Sequence, residues 1–72
     1  MKDIKSKYMA ERELKIAIEN DPWNTKYILD LAKLYLEVDM PNRAKALLEQ
    51  AQRIDPNDPE IKVVKDLLKK AN

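Results

Sequence analysis

The 72-residue sequence contains no cysteine, no histidine and no glycine, and each absence removes a class of chemistry. Without cysteine there are no disulfides and no thiolate zinc sites, and nothing calls for an oxidising compartment. Without histidine there is no imidazole metal ligand and no histidine proton shuttle. Without glycine there is no glycine-rich phosphate loop, and a turn-rich all-β fold is disfavoured. An excess of one charge is also lacking. Fourteen basic residues face thirteen acidic ones, and a net charge of +1 sets up no overall basic field for nucleic acid. No apolar run approaches the roughly 18 residues that span a bilayer. Met1-Lys2-Asp3-Ile4-Lys5 has no apolar segment behind it, so no secretory signal is expected and a cytoplasmic setting is the default.

What is present points to helices. The chain is 44% apolar and 38% charged, and its abundant Ala, Leu, Lys, Glu and Arg are helix formers. The two charge signs interleave, as on the solvated faces of helices. The length allows one domain at most. At this size only about 60% of the unfolded surface is buried, so the core must be thin.

Pro22, Pro41, Pro56 and Pro59 divide the chain into four helical stretches, because the residue before a proline is biased away from the α region. A first helix is expected over residues 3–20, with Ala10, Leu14, Ala17 and Ile18 inward, and Ile4 and Tyr8 extending the apolar side. A second follows Asn24 as N-cap, with Trp23 and Ile28 placed to form a hydrophobic staple. Its apolar residues occupy more than one side, so it should be sandwiched between neighbours. The third, residues 41–54, turns Ala44, Leu47, Leu48, Ala51 and Ile54 to one face. The fourth, residues 59–71, starts at the cap Asp58 with Pro59 at its first position, and directs Ile61, Val64, Leu67, Leu68 and Ala71 inward.

A period of 34 residues runs through this pattern. Pro22 maps to Pro56, Ala10 to Ala44, Leu14 to Leu48, Ala17 to Ala51 and Asp21 to Asp55. Here the sequence resembles the tetratricopeptide repeat, whose unit reads W-x2-L-G-x2-Y and then A-x3-F-x2-A-x4-P. Leu31, Tyr35, Ala44, Ala51 and Pro56 match that pattern, while Ile28, Ala32 and Leu48 replace its Trp, Gly and Phe. The resemblance implies an all-α, antiparallel helix-turn-helix repeat, a four-helix fragment of a right-handed α-solenoid. Residues 3–21 would be the second helix of a preceding unit, 25–58 one full unit, and 59–71 a lysine-rich capping helix that keeps the solenoid end soluble.

Function follows the same exclusions. Ser6 and Thr25 are the sole non-phenolic hydroxyls, with no histidine to activate them. Asp39, Asp55 and Asp58 stand at helix ends, where capping accounts for them. The cluster of Asp55, Asp58 and Glu60 is interrupted by two prolines and lacks the turn glycine of a calcium loop. The lysines at 62, 65, 69 and 70, and those at 2, 5 and 7, have no arginine cluster beside them and read as solvated helix faces. No catalysis, metal, cofactor, small-molecule substrate, nucleic acid or membrane is therefore expected.

The resemblance implies protein–protein interaction or scaffolding. The groove lined by first helices would present Lys26, Leu29, Asp30, Lys33, Leu36 and Glu37 to a peptide or helix, unless Leu29 and Leu36 simply contact neighbouring helices. Leu29 and Asp30 depart from the surface that clamps chaperone tails elsewhere in the family. Self-association, as a homodimer for example, is the other expectation. The first helix lacks an in-chain partner, which leaves Ile4, Tyr8, Met9 and Ile16 for another chain to cover. An engineered or excised repeat fragment with a purely structural role is the competing reading.

Overall fold

The structure, a computed structural model, describes residues 4–71, and of these the side chains of Ile4 and Lys5 are outside the description. Lys2 and Asp3, assigned above to a basic stripe and a helix start, lie outside the described residues. Four helices follow in order: α1 (Ile4–Asn20), α2 (Thr25–Glu37), α3 (Pro41–Ile54) and α4 (Pro59–Ala71). There is no strand among the described residues. α2 packs against all three other helices, α3 also against α4, and α1 against α2 alone. The helix with apolar residues on several sides is thus the one in the middle, as its pattern requires.

The turns are held by short polar side chains. Asn24 accepts a hydrogen bond from the Lys26 backbone N–H at 3.0 Å, satisfying one orphan donor of α2. Asp58 does the same for α4, accepting from the Glu60 N–H at 2.9 Å. Asp55 accepts from the Asn57 N–H at 3.2 Å within the preceding turn. Asp39 departs from the capping role expected of it. Met40 occupies the cap position of α3 and makes no side-chain cap bond. Asp39 instead adopts φ 62°, the left-handed residue that ends α2 in a chain without glycine. The turn then closes through the Met40 N–H, which donates to the Tyr35 carbonyl at 2.8 Å.

The core is built from Ile28, Leu29, Leu31, Ala32 and Tyr35 of α2, Ala44, Leu48 and Ala51 of α3, and Ile61 and Val64 of α4. Burying each larger aliphatic side chain contributes about 1.5–3 kcal/mol. Ala32, Ala44 and Ala51 are fully enclosed, so α2 and α3 cross where small side chains let the backbones approach.

Three packing expectations are corrected. Trp23 is 75% exposed while Ile28 is fully enclosed by the core, so the staple between them is not formed. Leu67 is 39% exposed and Ala71 is exposed as well. Ile61, Val64 and Leu68 define the inward side of α4, and at about 100° per residue Leu67 falls well off it. The inner stripe of α1 (Ala10, Leu14, Ala17 and Ile18) is only half-buried, because α1 has one neighbour instead of two.

The 34-residue register sets α4 apart from α2. The buried α2 residues Ile28, Leu31, Ala32 and Tyr35 correspond to Lys62, Lys65, Asp66 and Lys69 of α4, all exposed. The face on which α2 receives α3 is therefore charged throughout in α4. A further helix stacked there would strip water from four ionic groups, a cost that apolar contact does not offset.

Candidate protein-binding surfaces

Two edges of α2 are taken up by its neighbours. Thr25 donates its hydroxyl to Oδ2 of Asp58 at 2.5 Å, and Lys33 pairs with Glu60 at 3.1 Å. Thr25, Leu29 and Lys33 recur every four residues, so this edge faces α4. On the opposite edge Tyr35 donates its hydroxyl to Oε2 of Glu11 at 2.6 Å, and Glu37 pairs with Lys7 of α1. Between the two edges remains a narrow polar strip, with Lys26 exposed and Asp30 half-buried.

This geometry revises the expected groove set. Leu29 is 1% exposed and packs in the α2–α4 contact, so it lines no groove. Lys33 and Glu37 reach the surface but are engaged with Glu60 and Lys7. Leu36 is half-buried against the core. On α4, Leu67 lies one heptad beyond Glu60, hence on the edge that meets α2, and Val63 lies beside it, 45% exposed. Of these two apolar residues of the α2–α4 face, periodicity assigned Leu67 to the core and left Val63 without a role. The signal that separates them is the lysine stripe, which pivots the inward direction of α4 away from Leu67.

The proposed self-association patch divides. Met9 and Ile16 are seven residues apart on one side of α1 and are 64% and 48% exposed. Tyr8, 60% exposed, stands about 100° from Met9 and lines a different surface. Ile4 falls outside the described side chains. Tyr8 borders a cleft of about 530 Å³ between α1 and the α2–α3 turn, with Leu34, Val38, Met40 and Arg43. A second hollow of about 450 Å³ adjoins it, lined by Ile18, Leu31 and Leu47 among others. Tyr35 and Arg43 line both, and the guanidinium carbon of Arg43 sits 5.7 Å from the Tyr35 ring centroid. That spacing is a cation–π contact.

Three ionisable groups are shifted from their ordinary values by hydrogen-bonding neighbours. The Tyr35 hydroxyl holds the Glu11 carboxyl below the usual carboxylate range, aided by Lys15 at 3.3 Å and by the charge of Arg43. The Thr25 hydroxyl, and then the Glu60 N–H, do the same for Asp58. Lys15 is raised by its hydrogen bond to Glu11. Among the described residues no group of three acidic side chains is disposed to hold a metal ion, and no helix is long and apolar enough to cross a membrane.

Antiparallel neighbours, a 34-residue register and an absence of strands among the described residues define an all-α helical-repeat protein. A family model described as tetratricopeptide repeat matches residues 10–70, and the chain belongs to that family, whose members are in general protein–protein interaction modules. No curated protein and no solved structure matches it.

Proposed function

We propose that the chain is a non-catalytic protein-binding module that takes a peptide across the face formed by α2 and α4. The observation that carries this reading is the exposure of Val63 and Leu67 beside the Lys33–Glu60 bridge, next to Lys26 and Asp30. Apolar contacts of this kind supply binding energy, while charges at the rim set orientation and choice of partner. A fitting peptide carries two apolar residues for Val63 and Leu67 and an acidic residue for Lys26.

Peptides selected from a random library on the immobilised chain provide the test. Chemical-shift perturbation should map them to α2 and α4. Leu67→Asp should weaken binding about tenfold or more and Lys26→Ala about threefold. Peptides whose shifts map elsewhere, or whose affinity ignores both substitutions, overturn the reading. A purely structural fragment would yield no selected peptide.

A further inference from the structure

The open side of α1 has a counterpart whose occupant is visible. Ala10, Leu14 and Ala17 stand where α3 has Ala44, Leu48 and Ala51, the residues enclosed against α2. In α1, Leu14 and Ile18 pack on the core, while the side carrying Met9, Glu13 and Ile16 meets no described helix. The repeat shows what such a side receives. Arg43, the counterpart of Met9, lies against the Tyr35 ring, and Leu47, the counterpart of Glu13, lines a hollow together with Leu31.

We propose that this side of α1 is a docking site for one amphipathic helix supplied by another protein, seated on α1 as α2 is seated on α3. The site is separate from the α2–α4 face. Its apolar part is Met9 and Ile16, and its charged part is Glu13, which has no ion-pair partner among the described residues. The partner helix is therefore basic where α2 has Leu31, small where α2 has Ala32, and aromatic where α2 has Tyr35. The small residue lets the backbones approach, the ring contacts the Met9 thioether, and the base meets Glu13.

A second copy of this chain fits the site poorly. Two α1 helices related by a two-fold axis set like edges against each other, bringing one Glu13 edge against the other. The far end of the protein matches at one position alone: Lys65 of α4 stands where α2 has Leu31, but Lys62, Asp66 and Lys69 stand where α2 has Ile28, Ala32 and Tyr35.

The probe is a capped synthetic peptide with the sequence of residues 24–38 carrying Leu31→Lys, titrated into the full chain by calorimetry and heteronuclear NMR. Shifts should concentrate on α1 around Met9, Glu13 and Ile16. Ile16→Arg in the chain should weaken binding about tenfold. Glu13→Lys should weaken it similarly, and a peptide with Leu31→Glu should recover the loss. Thermal unfolding monitored by circular dichroism shows that each variant still folds. The idea fails if affinity is indifferent to Ile16→Arg and to the charge exchange. Shifts centred on α3 and α4 also overturn it, since the peptide would then be replacing the chain's own α2. A dimer through α1 in the absence of peptide, seen by light scattering and abolished by Ile16→Arg, overturns it in favour of a second copy.

Discussion

The hydroxyl of Tyr35 and the carboxylate of Glu11 meet at 2.6 Å, and this bond joins the Lys7–Glu37 pair in tying the central helix to α1. Tyr35 is 5% exposed, so its hydroxyl needs a partner, and Glu11 is the partner it has. Tyr35→Phe should lower stability by about 1 kcal/mol and loosen α1 more than the rest of the chain. Urea denaturation measures the first effect, and amide exchange along α1 measures the second. An NMR titration should show the Glu11 carboxyl rising towards its ordinary range.

Acid should destabilise the protein through two carboxylates. Glu11 and Asp58 are both held below their ordinary values in the folded state, by the hydroxyls of Tyr35 and Thr25 respectively. The unfolded chain therefore binds protons first as pH falls. The stabilisation is complete above the unfolded values, about 4.3 for Glu and 3.9 for Asp, and is lost as pH drops through the lower folded values. Urea midpoints should be flat from pH 7 to about 5 and decline below about 4. Thr25→Val should flatten the part of the decline that belongs to Asp58.

Side-chain size and energetic weight should diverge at the start of α2. Ile28 is fully enclosed, and Ile28→Ala should cost about 2–5 kcal/mol, enough to unfold much of so small a domain. Trp23 is the larger residue but is 75% exposed, and Trp23→Ala should change stability by less than about 0.5 kcal/mol. Equal losses in thermal unfolding would mean that the staple is present after all.

Giving α4 the stacking face of α2 should create an end on which another helix stacks. Lys62→Ile, Asp66→Ala and Lys69→Tyr together place apolar groups where α2 carries Ile28, Ala32 and Tyr35. α1 of a second molecule could then stack on α4. Because that contact joins two different faces, it generates open chains, not a closed dimer. Light scattering should show mass growing with concentration for the triple variant.

How far the residues spoke for themselves varied from element to element. Asn24 and Asp58 were legible because a cap is a local bond spanning two residues, and local chemistry decides it. The buried set Ile28, Leu31, Ala32 and Tyr35 was legible because the repeat assigns each a packing role. Leu29 was left open between two roles for the opposite reason. Nothing local distinguishes a leucine that lines a groove from one that seals a helix contact, and the approach of α4 decided the matter. Leu67 erred in the other direction, since periodicity finds a stripe but not which edge of it a neighbour covers. Tyr8 was grouped with Met9 and Ile16 by hydropathy, whereas a rotation of about 100° separates them.

The sequence by itself determined that this is an all-α repeat protein of the tetratricopeptide family, with helices bounded by prolines and polar caps. It also placed Lys62, Asp66 and Lys69 of α4 where α2 carries its buried apolar residues. These are consequences of local backbone preference and of a period measured along the chain. Only the tertiary structure decided which exposed groups share a surface. Tyr35 with Glu11, Lys33 with Glu60 and Thr25 with Asp58 are partners from different helices. Such pairs arise from the angle and rotation at which helices pack, a collective outcome of the whole core that no single segment encodes.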